Sequence, residues 1–202
     1  MNLRIKKYNK NLIDISIIDE VVKFNNLNDI SLDIGSGEGE FITELAVKNP
    51  KDFFIGVEIK YGRILKSLKK VYNLGLRNIK FIHGDINHMP GTILFSKNIR
   101  KIFINNPDPW PKDKHINKRI IKTDFLNKLY KVLKRKGKVI IKTDSEDYLN
   151  FIKEEINNSK FKIWKKNEEL ALPLSKFQKN YNKIYAIVIN KNLIYVLHHF
   201  LI

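Results

Sequence analysis

A proline-framed aspartate is the residue whose setting most clearly indicates chemistry. Residues 106–112 read Asn-Pro-Asp-Pro-Trp-Pro-Lys and directly follow a short run rich in Ile and Phe. Each proline fixes its own φ and disfavours helix in the residue before it, so the segment is predicted to be a stiff, extended loop. Asp108 would present its carboxylate with little conformational freedom, and Trp110 offers a flat face on which a base can stack. A rigid turn around a core tryptophan is the alternative, but it gives the aspartate no role.

A glycine-rich loop lies earlier in the chain. Residues 31–41 read Ser-Leu-Asp-Ile-Gly-Ser-Gly-Glu-Gly-Glu-Phe, which is typical of a buried strand, a turn and the start of a helix. Gly35 and Gly37 allow positive φ and let a ligand approach the backbone closely. Glu58 ends the next β-rich run, where an acidic residue is suited to binding ribose hydroxyls. This pattern by itself is shared with NAD-binding domains.

Further acidic residues favour S-adenosylmethionine over a dinucleotide. Glu38 and Glu40 open the helix and would repel a pyrophosphate at its N-terminus. Asp33 ends the first strand, where it can face a cationic methionyl amine. Asp85 follows the third strand, where a carboxylate can accept a hydrogen bond from the adenine amino group. Carboxylates at three successive strand ends fit a zwitterionic sulfonium, and we therefore predict S-adenosylmethionine as the cofactor.

The elements that must position these residues alternate between β-rich runs and longer helical patterns. We predict strands at residues 30–34, 53–57, 79–83, 101–105, 138–142, 161–165 and 184–189. We predict helices at residues 41–47, 63–72, 125–133 and 148–156. Gly137 is interpreted as the C-terminal stop of the third helix.

This alternation predicts a Rossmann-like α/β domain, a doubly wound and mostly parallel sheet of about seven strands. No convincing helix separates the last two strands, so one strand near the C-terminus is predicted to be antiparallel. The ligand crevice should lie beyond the carboxyl ends of strands 30–34 and 101–105. We predict one domain over residues 1–202, with an N-terminal extension at 1–27 and an apolar tail at 190–202 of unassigned role.

Composition restricts the classes of function. The chain has no cysteine, which excludes disulfides, thiolate metal sites and the cytosine methyltransferases that use a cysteine nucleophile. No stretch reaches the roughly 18–20 apolar residues that cross a bilayer, and the first residues lack the apolar run of a signal peptide. We therefore predict a cytoplasmic protein with neither a metal nor a membrane partner, and either a monomer or a homodimer is compatible with the sequence.

The charge of the chain points to a polyanionic partner. Its formal net charge is +17, and residues 112–138 contain eleven basic and two acidic residues. AT-rich genomes also produce lysine-rich chains, but here the basic residues follow the proline-framed loop. We predict a nucleic acid, RNA or DNA, as the partner and Lys114, Lys118, Arg119 and Lys122 as contacts to its phosphate backbone.

The loop resembles the signature of one family. Residues 106–112 are similar to the Pro/Ser-Asp-Pro-Trp-Pro-Lys motif of the bacterial tRNA (guanine-N7-)-methyltransferases of the TrmB type. The resemblance covers residues 28–190 and includes the glycine loop, the strand-end acids and Ile-Lys-Thr-Asp at 141–144. It implies a class I methyltransferase fold, S-adenosylmethionine as cofactor, tRNA as substrate and 7-methylguanosine in the variable loop as product.

The resemblance also implies roles for individual residues. The positions that match cofactor-binding residues are Asp33, Glu58, Asp85 and Asp108. Asp108 also matches the position proposed for catalysis, and Lys112 and Asp144 match substrate contacts.

A later element of the family, Thr-x-Phe/Tyr-Glu, corresponds here to Ser175, Lys176, Phe177 and Gln178. The serine keeps the hydroxyl of threonine. The glutamine loses a negative charge and gains a donor, which leaves the guanine contact at this position open.

Guanine N7 carries an in-plane lone pair, so its methylation removes no proton before attack. We therefore expect Asp108 to position the reactants and stabilise developing positive charge, without acting as a base. We expect Asp144 to accept hydrogen bonds from the Watson–Crick edge of an extruded guanine.

Two other functions are weighed beside this one. The first is methylation of another RNA or DNA base. Amino-methylating enzymes carry Asp or Asn followed by two prolines and an aromatic residue, and Asp108 splits that proline pair. The second is a non-catalytic RNA-binding scaffold of the same fold. Retention of all four pocket carboxylates argues against it.

Overall fold

The computed structural model describes residues 9–13, 29–87, 99–166 and 184–191. Within them, one sheet of eight strands has the order β1-β4-β3-β2-β5-β6-β8-β7. The strands are β1 (Leu12–Ile13), β2 (Ile30–Ile34), β3 (Phe53–Glu58), β4 (Ile79–His83), β5 (Ile99–Asn105), β6 (Leu133–Thr143), β7 (Lys162–Lys166) and β8 (Tyr185–Asn190). Only β8 runs against its neighbours β6 and β7. The predicted α/β fold with an antiparallel strand near the C-terminus is confirmed.

The helices flank this sheet. They are α1 (Glu40–Lys48), α2 (Tyr61–Asn73), α3 (Thr123–Val132) and α4 (Glu146–Asn157), with short 3-10 helices at Asn9–Asn11 and Asp113–Lys118. No helix in the described ranges is long and apolar enough to cross a bilayer.

Two hydrophobic clusters form the core, one on each face of the sheet. Leu32 and Ile34 belong to the cluster that includes α3 and α4. Phe103 belongs to the cluster that includes α1 and α2. Side chains alternate along a strand, so Asp33 points to the α1/α2 face between its two apolar neighbours. The strand that buries the core thereby also places a carboxylate at the carboxyl end of the sheet.

Gly137 does not have the role in the structure that the sequence predicted for it. It does not stop a helix, because α3 ends at Val132 and β6 begins at the next residue. Between the pairs Ile99–Leu133 and Lys101–Lys138, β5 advances two residues while β6 advances five. The extra residues form a bulge in which Lys136 has φ of 66°. A Cβ at Gly137 would lie 2.9 Å from the Lys134 carbonyl oxygen, so the bulge requires glycine there.

Candidate active site

A cavity of about 740 Å³ opens at the carboxyl ends of β2, β3, β4 and β5. Strand order reverses between β2 and β5, which is where ligands bind in open α/β sheets. The predicted site residues that line the cavity are Asp33, Gly35, Gly37, Glu58, Asp85, Asp108, Trp110, Lys118 and Asp144. Lys112, Lys114, Arg119 and Lys122 do not line it. Ser175, Lys176, Phe177 and Gln178 lie outside the described residues.

The glycine loop forms one wall of the cavity. Gly35, Gly37 and Gly39 have φ of 75°, 60° and 75°, in the left-handed region. A Cβ added at Gly35 or Gly37 would meet no atom within 4 Å, so the backbone there faces open space. The glycines are therefore needed for conformation, and they leave the loop backbone accessible to a ligand.

Glu58 fixes this loop from the end of β3. Its side chain is only 4% exposed. Its Oε2 accepts a hydrogen bond from the Gly37 amide at 3.0 Å, and its Oε1 accepts one from the Lys60 amide at 2.8 Å. The Arg63 Nη1 lies 3.7 Å from Oε2. A carboxylate can accept about four hydrogen bonds, so Glu58 retains capacity for hydroxyl groups of a ligand.

Asp33 is a buried carboxyl group beside the same loop. It is 2% exposed and accepts a 3.3 Å hydrogen bond from the Asn105 side-chain amide. Burial raises its pKa to about 7, with a smaller increase from Glu58 and a decrease from the Asn105 hydrogen bond. In the described part of the chain, no lysine or arginine pairs with it. An ionised, desolvated carboxylate without a counter-ion is suited to bind a cationic group.

Asn105 was missed by the sequence prediction. It is the last residue of β5 and lines the cavity next to Asp33. Its Oδ1 is buried and has no hydrogen-bond partner within the described ranges. The amide thus offers a second acceptor beside Asp33, and the only sequence signal was its place at the strand end.

Two half-buried aspartates add to the acidic lining. Asp85 follows β4 and accepts a 2.8 Å hydrogen bond from the Asn87 amide. Asp144 follows β6 and immediately precedes Ser145, whose Oγ accepts the Tyr148 amide and so caps α4. The start of α4 therefore fixes the position of Asp144 at the cavity wall. No group of three or more His, Cys, Asp or Glu suited to a metal occurs among the described residues.

The proline-framed loop lies at the mouth of the cavity. Asn106 and Trp110 have φ of 46° and 41°, which non-glycine residues seldom adopt. The Asn106 amide donates to the Lys142 carbonyl at 2.8 Å, which holds the loop to the end of β6. Asp108 is exposed. The loop thus presents a carboxylate to solvent from a constrained backbone.

Trp110 is half-buried and already has aromatic and cationic neighbours. Its ring meets His115 edge-on at a centroid distance of 5.6 Å. The Lys118 Nζ lies 4.8 Å from the indole centroid. One face of the indole is therefore covered by the Lys118 ammonium group.

The predicted phosphate-binding residues differ in their exposure. Lys112, Lys114 and Lys118 are exposed, and Lys122 is half-buried with its Nζ 2.8 Å from the Asn117 carbonyl. Arg119 departs from the prediction. Its side chain turns inward, is 9% exposed, and donates to the Pro109 carbonyl at 2.8 Å. We therefore remove Arg119 from the set proposed to contact phosphate.

Solved methyltransferase structures are similar in fold to this chain. An antibiotic-related methyltransferase gives a TM-score of 0.64 over 91% of this chain and 96% of its own, at 21% identity. A SAM-dependent methyltransferase from Aquifex aeolicus gives 0.60 over 87% and 89%, at 16% identity. At these identities the likeness concerns the fold, which is that of the class I methyltransferases.

Sequence relatives define the family more narrowly. Residues 28–193 match the family profile described as "Putative methyltransferase". The tRNA (guanine-N(7)-)-methyltransferase of Clostridioides difficile is 35% identical over 79% of this chain and 73% of that protein. The protein of the same name from Lactobacillus acidophilus is 33% identical over 82% of this chain and 81% of its own length. The chain belongs to the tRNA (guanine-N(7)-)-methyltransferase family.

Proposed function

We propose that this chain transfers a methyl group from S-adenosylmethionine to N7 of guanine in tRNA, at the variable-loop guanine implied by the family resemblance. The observation that carries the proposal is that the cavity has two parts with different side chains, an inner part and a mouth. Its inner part has the buried carboxyl groups Asp33 and Glu58 beside an open glycine loop. Its mouth has the exposed Asp108 beside Trp110. A small cationic ligand fits the first part, and a flat base fits the second.

The donor set of the inner part suits this cofactor. Asp33 and the Oδ1 of Asn105 are acceptors for the methionyl amine. Glu58 and Asp85 both line the cavity, and we propose that Glu58 binds the ribose hydroxyls and Asp85 the adenine amino group. Bound there, the cofactor would supply an electrophilic methyl group on its sulfonium.

Residues of the mouth orient the acceptor base. Trp110 provides a stacking face, and Asp144 can accept hydrogen bonds from the guanine edge that carries N1 and the amino group. Asp108 places a negative charge where the methylated base becomes cationic. No side chain is required to remove a proton, because N7 attacks through its lone pair.

One assay tests the proposed reaction directly. The protein is incubated with methyl-labelled S-adenosylmethionine and unmodified tRNA, which is then digested to nucleosides. We expect label in 7-methylguanosine, lost when the variable-loop guanine is replaced by adenine. Label in an adenine or cytosine derivative would instead identify another base as the target. Tight tRNA binding without label would identify a scaffold.

The raised pKa of Asp33 predicts a pH dependence of cofactor affinity. The amine binds the ionised carboxylate, and burial raises the Asp33 pKa to about 7. Below that pH, binding must first displace a proton, so affinity is expected to fall by about tenfold for each further pH unit. Calorimetric titration of S-adenosylmethionine between pH 5 and 8.5 measures this. The Asp33→Asn variant should bind weakly with no such slope, and a flat wild-type profile would contradict the role of Asp33.

Three lysines that follow the proline-framed loop predict a salt-dependent contribution to tRNA binding. Reversing Lys114, Lys118 and Lys122 together to Glu should weaken tRNA binding at least about tenfold at moderate salt. It should also reduce the slope of log affinity against log salt by roughly 2, because phosphate contacts are lost. Lys51→Glu is the single-reversal control on the opposite end of the sheet, where Lys51 is exposed before β3. Each of the three lysines is also reversed singly for comparison with this control. If Lys51→Glu weakened tRNA binding as much as these single reversals do, a defined contact surface would be ruled out.

A further inference from the structure

We propose that Arg119 is a positioning residue that holds the Asp108 loop in its working conformation, and that it does not bind RNA phosphate. The inference rests on the proposed function, because it concerns the loop assigned there to the acceptor base. Arg119 lies in the basic stretch 112–138, and the sequence predicts it to contact the RNA backbone together with Lys114, Lys118 and Lys122.

The first observation is a hydrogen bond to the centre of the loop. The Arg119 Nε donates to the Pro109 carbonyl at 2.8 Å. Pro109 stands between Asp108 and Trp110, so this bond restrains the two functional side chains together. Proline has no backbone N–H, so the carbonyl is the one backbone group of Pro109 through which a hydrogen bond can hold it.

The second observation is that the rings of Tyr148 and Phe151 pack against the Arg119 guanidinium, and we call these two rings the aromatic shelf. The Arg119 Cζ lies 5.0 Å from the Tyr148 ring centroid and 4.7 Å from that of Phe151, both on α4. Tyr148 is fully buried, and its hydroxyl accepts a 3.4 Å hydrogen bond from the Ile121 amide. The shelf is therefore itself fixed, and it favours the planar guanidinium over an ammonium group.

The third observation is that the loop needs an external restraint. Asn106 and Trp110, at either side of Asp108, both have positive φ, a conformation that persists only where surrounding contacts impose it. The Asn106 end is held by the Lys142 carbonyl. Arg119 holds the other end. Since Arg119 is 9% exposed, a phosphate could reach its guanidinium only if these contacts were broken.

The adjacent residue shows the contrast. Lys118 is exposed and has its Nζ over the outer Trp110 ring, whereas Arg119 faces α4. Ser145, the N-cap of α4, directly follows Asp144, so the helix that supports the aromatic shelf begins next to the second proposed base contact. Arg119 thus joins the loop to the helix whose N-cap follows Asp144.

The experiment compares Arg119→Lys, which keeps the charge, with Phe151→Leu, which alters the shelf without changing any charge. Single-turnover methyl transfer is measured at saturating tRNA and S-adenosylmethionine, and tRNA affinity is measured across a salt series. We expect both variants to lose about tenfold or more in rate, because small displacements of positioning groups have effects of that size. Their tRNA affinity should stay within about twofold, with an unchanged salt slope. Lys114→Met, from the exposed set, should reduce the salt slope, and Lys51→Met, exposed before β3 at the opposite end of the sheet, is the control that should change neither the slope nor the saturated rate.

Either of two results would overturn the inference. One is a flattened salt slope for Arg119→Lys, alone or with a lower rate, since that identifies a phosphate contact. The other is a wild-type rate in both variants. If Arg119→Lys fails to fold, as judged by circular dichroism, the Phe151→Leu rate decides. Failure of the proposed function is seen separately, because the wild-type protein would then transfer no methyl group to guanine N7.

Discussion

Asp108→Ala is expected to lower the single-turnover rate of methyl transfer by at least about a hundredfold while tRNA affinity at fixed salt changes by less than about twofold. The loop backbone is held at Pro109 and Asn106, so removing the Asp108 side chain should leave its conformation intact. What the variant loses is the negative charge of the Asp108 carboxylate, which faces the base as it becomes cationic. That charge acts in the transition state more than in the bound complex.

Two further variants sharpen this test. Asp108→Asn keeps the shape and removes the charge, and an equal loss of rate would assign the effect to electrostatics. Asp113→Asn removes an exposed carboxylate from the following 3-10 helix and should leave the rate unchanged. A large loss of tRNA binding in Asp108→Ala would show that the residue anchors RNA instead.

Asp33→Asn is expected to weaken cofactor binding strongly and to remove its pH dependence and, at the same time, to stabilise the fold at pH 8. The Asp33 pKa is raised from 3.8 to about 7, so the folded state holds its proton over a pH range in which the unfolded chain has lost it. The contribution of Asp33 to the free energy of unfolding is therefore fully present below pH 3.8 and is lost as the pH rises to about 7. At pH 8 the buried carboxylate costs up to roughly 4 kcal/mol, which asparagine does not incur.

Urea unfolding at pH 8 and pH 5 measures this second effect. The free energy of unfolding of Asp33→Asn should exceed that of the wild type at pH 8, and the gap should narrow at pH 5. Glu58→Gln provides the contrast, because its carboxylate accepts two backbone amides and the amide nitrogen of glutamine cannot replace an acceptor there. We expect that variant to be destabilised. Lower stability of Asp33→Asn at pH 8 would contradict the desolvation argument.

The sequence predicted elements well where local pattern and tertiary pairing agree. Residues 30–34 and 79–83 form strands with the predicted bounds, because short apolar runs there are bounded by turn residues. Gly137 was misinterpreted because a glycine after an amphipathic helix is locally typical of a helix stop. Its actual role depends on the bulged pairing of β6 with β5, which no local pattern contains. The two-residue strand β1 likewise depends on pairing with a distant partner, β4.

In the candidate site, too, some residues could be predicted from local sequence and others depend on tertiary contacts. Carboxylates at strand ends could be predicted, because the carboxyl ends of parallel strands meet at one edge of a sheet. Asn105 could not be distinguished from other polar residues, since its value lies in its distance to Asp33. Arg119 and Lys118 are adjacent cations in a segment without helical or strand periodicity. Nothing in their spacing indicates that one turns inward to α4 and the other outward.

The direction of β8 has a consequence for chain path. Because β8 is antiparallel to β6, its first residue, Tyr185, pairs with Thr143 at the carboxyl edge of the sheet. The last residue of β7, Lys166, pairs near the same edge, and the Tyr185 hydroxyl donates to Glu146 at the start of α4. Lys166 and Tyr185 therefore both lie at the edge of the sheet next to Asp144. A parallel β8 would have begun at the opposite edge, so the reversal of this one strand is what puts the end of β7 and the start of β8 on the same side of the sheet.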